Sequence, residues 1–360
     1  MSPRTTRIIG FAAFAAFVVA VAVFPAFVSD FKAREWAYVG IYLIALLGLN
    51  ILTGYTGQIS LGHGAFMAIG GYTTAILMAG NEQFGGPISG GVKDIWTLPI
   101  AGLVAFAAGL AFGVPALRLS GLYLALATFA VAVATPSTAR RFQEWTGGGQ
   151  GIQLSGEPEL TGSLENVDVL GWSLTPNRWL YYLSWSIALV AFAVAWLVLR
   201  GRTGRAFRAV RDSETAAVSS GVSLARYKTA AFGISAAYAG VAGGLFAIGT
   251  ASVSPEVFPI ALSIFLLVGV VVGGLGGLSG LVFGAIVIAF LPLWAQGEDL
   301  GSLLPDGIVA ETQQPGGSSI VFGVVLILLM FILPNGVAGL FRRVGQFVTS
   351  RRYSRSSSST

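Results

Sequence analysis

Long apolar runs bounded by charge, proline or glycine recur along the whole chain. Ten of them approach or exceed the length that a helix rising 1.5 Å per residue needs to cross a hydrocarbon layer roughly 30 Å thick. They lie at about 8–28, 36–53, 64–79, 97–117, 120–137, 179–199, 229–250, 258–274, 278–296 and 319–336. All 21 Lys/Arg and all 16 Asp/Glu fall outside these ranges. An apolar interior demands this, because a charge at mid-bilayer costs roughly 2.5 kcal/mol or more. The pattern predicts an all-α integral membrane protein of about ten transmembrane helices, organised as one domain over 1–340. The run at 8–28 reads as a first span and not as a cleaved leader, since it is long and no small-x-small site follows it before Asp30. Residues 341–360 form a basic, Ser-rich tail expected to be disordered and held near anionic lipid by its arginines.

Loop charge sets the orientation. With the N-terminus in the cytoplasm, 15 of the 21 basic residues stand inside: Arg4, Arg7, Arg118, seven between Arg200 and Lys228, and five from Arg342 to Arg355. The same choice puts 14 of the 16 acidic residues outside, five of them in a loop over 138–178. Both termini are therefore expected in the cytoplasm, with the chain as a multi-pass protein of the cell membrane.

Composition then narrows the function classes. At 54% hydrophobic and 10% charged residues, with a mean hydropathy of +0.77, there is too little polar material to coat a water-soluble globule. The net charge of +5 is sorted by side of the membrane, so it does not point to nucleic acid. The absence of cysteine excludes disulfides and thiolate metal sites. The 49 glycines suit helices that must approach closely in lipid, and Gly-xxx-Gly pairs recur at Gly109/Gly113, Gly240/Gly244, Gly276/Gly280 and Gly280/Gly284. A phosphate-binding P-loop needs Gly-Lys-Ser/Thr, yet Lys32, Lys93 and Lys228 all follow other residues. His63 is the only histidine and no carboxylate sits in a span. No catalytic or metal-binding constellation is legible, and His63 reads as an interfacial or structural residue. The chain is expected to be no enzyme and to bind no cofactor itself.

Two glycine-rich stretches interrupt the helices on the inner side. One runs from Leu52 to Phe66 and includes Tyr55, Thr56, Gln58, Ser60 and His63; the other runs from Val272 to Ala285 and includes Gly274 and Gly277. Unpaired backbone in lipid survives only where it is buried in protein or lines a wet cavity. Broken helices at matching places in two halves point to a translocation path; tight glycine-permitted turns between helices are the competing reading. Under the first reading Asn50, Thr53, Tyr55, Thr56, Gln58 and Ser60 are candidates for lining the path, with His63, Gly274 and Gly277 beside them at an inner gate.

The third special segment is the basic loop over 200–228. Phe207, Val210, Ala217 and Val218 fall near one helical face and Arg205, Arg208 and Arg211 largely off it. Asp212 is the expected N-cap, Glu214 lies in the first turn, and Gly221 is the stop. Such a helix could lie on lipid phosphates or dock into a partner's groove.

These residues resemble a known family. Gly54-Tyr-Thr-Gly-Gln-Ile-Ser-Leu-Gly-His-Gly-Ala-Phe66 with Gly70-Gly71-Tyr72 is similar to the signature of LivM-type permease subunits of branched-chain amino acid ATP-binding cassette importers. The likeness continues through Arg118–Thr128, Thr146–Gly151, the 200–228 loop and Gly273–Gly277, covering roughly 40 to 340. One departure is that members commonly carry proline after the second glycine-rich segment, where Leu281 follows Gly280 here.

The resemblance implies a pore-forming subunit that pairs with a second, LivH-like permease, two cytoplasmic ATPase subunits holding ATP and Mg, and an extracytoplasmic substrate-binding protein. Glu214-Thr-Ala-Ala217 followed by Gly221 is similar to the coupling helix of such importers. On that reading Phe207, Val210 and Val218 would make apolar contact with the ATPase, while Arg205, Arg208 and Arg211 would pair with acidic groups or lipid. Import of branched-chain amino acids is the leading expectation. Urea or short-chain amide import is an alternative within the same architecture. An ion-coupled secondary carrier is a further alternative that lacks an intramembrane carboxylate.

Overall fold

A computed structural model describes residues 16–154, 167–169 and 172–295 and the single positions 323, 324, 327, 331 and 336. Apart from those single positions, the tenth expected span and the basic tail lie outside the described residues, as do the start of the first span and part of the 138–178 loop. The chain is helical over 16–23. It then forms α1 (Asp30–Asn50), α2 (His63–Ala79), α3 (Asp94–Ala116), α4 (Leu122–Arg141), α5 (Pro176–Arg200), α6 (Arg202–Asp212), α7 (Glu214–Ser219), α8 (Leu224–Thr250), α9 (Ile260–Gly273) and α10 (Leu281–Ala295). Among the described residues five helices are long and apolar enough to cross a membrane: α1 with its extension to Tyr55, α3, α4, α5 and α8.

Four short strands depart from an all-helical chain. They are β1 (Ile152–Gln153), β2 (Val167–Val169), β3 (Trp172–Leu174) and β4 (Ser252–Val253). Strand β1 pairs antiparallel with β4, matching Ile152 to Val253, and β2 pairs with β3.

The helices also outrun the apolar patterns. Helix α1 starts at Asp30, so Asp30, Lys32, Arg34 and Glu35 form its opening turns instead of a preceding loop. Ser29 caps it by accepting from the Lys32 backbone N–H. Asp30 then ties α1 to the start of α5: it accepts from the Thr175 hydroxyl and from Asn177 Nδ2 at 2.6 Å, with Arg178 4.0 Å away. Asp94 at the start of α3 accepts from Trp179 Nε1 at 2.9 Å. The first turns of α1, α3 and α5 thus share one end of the bundle. The C-terminal end of α8 joins them there, where Arg34 donates to the Gly249 carbonyl at 3.1 Å.

Helices α1 and α8 are the buried pair, with 89% and 72% of their apolar windows inside the protein against 28–39% for α3, α4 and α5. Residues such as Leu103, Leu122, Tyr123, Val190 and Leu197 point outward from the outer helices, which is the expected dress of a lipid-facing surface. Lipid offers no hydrophobic force between helices, so close backbone approach must hold the centre. At the α2–α8 crossing a Cβ on Gly70 would run into the Gly240 backbone, 2.5 Å from its carbonyl carbon, and a Cβ on Gly243 would run into the Met67 backbone. The opposite side of α8 meets α3, where Gly109 packs on Ala236 and Phe232, and Gly240 packs on Ala101 and Ala105. The Gly109/Gly113 and Gly240/Gly244 pairs are therefore helix crossings. Gly276, by contrast, lies in a turn at φ +75°.

Candidate functional site

The opposite end of the bundle carries both glycine-rich breaks. Helix α1 does not stop at Asn50 but widens into a π-turn over Ile51–Tyr55 before the chain runs non-helical to α2. Polar side chains of this first break are spent on bonds within the break itself. The Thr56 hydroxyl donates to Leu52 O at 2.5 Å, the Thr53 hydroxyl to Gln58 O at 3.2 Å, and Gln58 Nε2 to the Thr56 hydroxyl at 3.1 Å. The Ser60 hydroxyl accepts from the Gly62 N–H at 3.3 Å. Other elements close what remains. Thr128 of α4 accepts from Leu61 N and Ser263 of α9 accepts from Gly64 N, each at 2.9 Å. His63 is buried and donates from Nε2 to Ala45 O at 2.9 Å, which makes it a tie between α2 and α1. Tyr55 packs half-buried against the core. Buried backbone groups need such partners.

The second break begins where α9 ends at Gly273. Gly274 and Gly276 adopt φ +104° and +75°, conformations that favour glycine. Helix α10 starts at Leu281, whose N–H donates to Leu278 O at 3.2 Å. The interruption therefore forms without a proline.

Asn50 joins the two breaks. Its Oδ1 accepts from Gly276 N and its Nδ2 donates to Gly277 O, both at 3.0 Å. A Cβ on Gly54 would strike Asn50 Oδ1 and come within 2.6 Å of Gly276 N. Arg211, in the last turn of α6, reaches the same place and donates to Gly54 O at 2.5 Å. The structure thus brings Asn50, Thr53, Gly54, Gly274, Gly276, Gly277 and Arg211 to one node at the basic end of the bundle. A cleft of about 240 Å³ opens at the far end of the first break, lined by Gly62, Phe66, Phe112, Leu124, Thr128 and Phe232 among others.

The 200–228 loop is two helices, not one. Extended Ser213 separates α6 from α7, and its hydroxyl accepts from Ala216 N at 3.3 Å. Ser213 is therefore the N-cap, and Asp212 is the last residue of α6. Gly221, at φ +80°, stops α7 as expected. The division alters which side chains face outward. Phe207, Val210 and Ala217 are buried in the chain's own interior, Phe207 edge-on to Tyr227, whereas Val218 is 54% exposed. Arg205 and Arg208 are exposed, and Arg208 makes only a long 3.5 Å contact to Leu199 O.

Glu214 makes a 2.7 Å ion pair with Lys228 of α8, whose side chain is 8% exposed against 47% for Glu214. Removing the glutamate strands a nearly buried ammonium. Glu214→Gln is therefore expected to destabilise by about 2 kcal/mol, discounted for the exposure of the pair from the cost of breaking a buried one. Lys228→Met removes the charge with its partner in water and keeps the packed stem, so it should cost well under half as much. Thermal unfolding of the two variants in detergent checks the order.

A family model described as the branched-chain amino acid transport system / permease component matches residues 35–333. The chain belongs to this family. The permease is 39% identical over 264 residues to the high-affinity branched-chain amino acid transport system permease protein LivM of Escherichia coli K12, covering 69% of this chain and 60% of that one. It therefore spans less than two thirds of the length of that relative. It is 23% identical over 326 residues to a probable branched-chain amino acid transport permease protein LivM of Methanocaldococcus jannaschii, covering 83% and 90% of the two chains. A similar likeness, 23% over 310 residues, extends to the high-affinity branched-chain amino acid transport system permease protein LivH of Salmonella typhimurium, covering 83% and 91%. No solved structure matches the permease. Family and helices together make it a multi-pass membrane protein.

Sequence reasoning missed Thr128 and Ser263 as supports of the first break and Lys228 as the partner of Glu214 in this permease's basic loop. Lys228 was visible only as a charge at the edge of a span, and the two hydroxyls looked like ordinary span residues.

Proposed function

We propose that this chain is a membrane permease subunit of an ATP-binding cassette importer that moves branched-chain amino acids across the cell membrane. It has about ten spans and both termini in the cytoplasm. It pairs with a second, LivH-like permease, with two cytoplasmic ATPase subunits that hold ATP and Mg, and with an extracytoplasmic binding protein. Membership of the permease family over 35–333 carries the reading, and the named relatives supply the substrate class.

The node gives the reading a mechanism. The 200–228 loop is the segment the ATPases engage, through exposed Arg205, Val218 and the α7 surface around Glu214. Phe207, Val210 and Ala217 anchor that loop from within. The two glycine breaks form the inner gate, with Asn50, Thr53, Tyr55, Gln58 and Ser60 on its first side and Gly274 and Gly277 on its second. Closure of the ATPases on ATP displaces the loop and reshapes the gate.

The test is purification of the tagged chain in mild detergent, identification of its companions, and assay of ATP hydrolysis and leucine uptake in vesicles with the binding protein added. Co-purification of ATPases and leucine-stimulated hydrolysis are expected. Uptake by the chain alone with no ATPase present would overturn the assignment.

A further inference from the structure

The approach of Arg211 to the first break joins a surface helix to two interrupted spans. Its stem lies across Gly57, where a Cβ would sit 3.3 Å from Arg211 Cγ. Its Nη1 donates to Gly54 O at 2.5 Å, and a Cβ on Gly276 would lie 3.0 Å from that same Nη1. The guanidinium therefore stands between the two breaks, bonded to Gly54 of the first and against Gly276 of the second, while Asn50 bonds Gly276 N and Gly277 O. We infer that Arg211 is a positioning residue that clamps the two glycine breaks in their closed arrangement and lets them part when the 200–228 loop is displaced. This deepens the proposed function and rests on it.

Three features make the arrangement a transmitter rather than a static brace. Helix α6 is rigidly based, with Phe207 and Val210 buried and Gly204 pressed against the Leu199 backbone. Arg211 lies at the far end of that helix, next to the extended Ser213 joint, so a pull on α7 acts first on the clamp. Glu214 and Lys228 pin the other side of the joint to α8. The bonds to be exchanged are few: one from Arg211 and two from Asn50. All end on backbone groups of glycines, which carry no side chain to keep water from replacing the lost partner. A link of this kind can open and reclose without unfolding its surroundings.

The test uses the complete importer in vesicles and reads ATP hydrolysed per leucine transported, a ratio that a merely structural role would not move. Arg211 is an exposed residue overall, so Arg211→Gln should fold and assemble. Its hydrolysis is expected to stay within about twofold of the unmodified complex while transport falls, raising the ratio roughly tenfold, the scale set by losing a charge-assisted hydrogen bond that couples two sites. Arg211→Lys, which keeps the charge, should recover part of the coupling. An unchanged ratio in Arg211→Gln overturns the inference and leaves the proposed function standing. So does a failure to assemble that Arg211→Lys repeats, which would make Arg211 a support of the fold. An unmodified complex with no leucine-dependent hydrolysis overturns the proposed function, and the clamp with it.

Discussion

Gly70→Val is expected to leave almost no folded permease. The Gly70 position in α2 faces the Gly240 backbone of α8, and a Cβ there would overlap atoms that belong to a helix and cannot rotate away. Overpacking a core usually costs about 1–3 kcal/mol because side chains shift to make room. Here the helices themselves must separate. That also loosens Gly243 from the Met67 backbone and Gly240 from Ala101 and Ala105, so the loss should exceed about 3 kcal/mol, a large share of a typical total near 5–15 kcal/mol. Fluorescence-detected size-exclusion chromatography of a fusion protein should show the monodisperse peak lost. Gly201→Ala, where a Cβ meets nothing nearer than 3.4 Å, should run like the parent chain.

The second large effect belongs to function. Gly54→Ala places a methyl group against Asn50 Oδ1 and 2.6 Å from Gly276 N. Asn50 cannot simply swing aside, because the same oxygen accepts from that Gly276 N–H and its amide donates to Gly277 O. The two breaks must move apart, and the carbonyl that receives Arg211 moves with them. Since α1 and α8 pack elsewhere, the protein should still assemble. Leucine uptake is expected to fall roughly tenfold or more, from a strain of about 1–3 kcal/mol placed on one state of a two-state element. Uptake by Gly54→Ala within about twofold of the parent would show that the breaks need not touch.

Much of the helical framework was legible because its cause is local. The apolar runs at 97–117, 120–137, 179–199 and 229–250 lie within α3, α4, α5 and α8 almost end to end. Their limits were misjudged wherever a helix continues past its apolar stretch into charge, as at Asp30 and Asp94, where a carboxylate in the first turn suits the helix dipole. Both glycine-rich interruptions were visible as glycine and polar residues between apolar runs. Their mutual contact was not, since Asn50 and Gly276 are 226 residues apart and no periodicity reaches that far. In the basic loop, helical spacing puts Phe207 and Val218 near one face, with a cap at Asp212 between them. Asp212 and Ser213 are both good caps, and the choice between them sets the joint that sends Phe207 inward and leaves Val218 outside.

Threading α8 between α2 and α3 also constrains how the chain is made. Residues of α2 and α3 that close on Gly240 and Gly243 emerge from the ribosome long before α8 does, as does Asp30, whose partners Thr175 and Asn177 follow it by about 145 residues. The early helices must therefore wait in the bilayer as separate rods, with their small-residue seams unfilled, until a late helix inserts among them. Synthesis interrupted before residue 224 would leave membrane-inserted helices without the wedge that joins them, a product for quality-control proteases to remove and not a smaller working subunit.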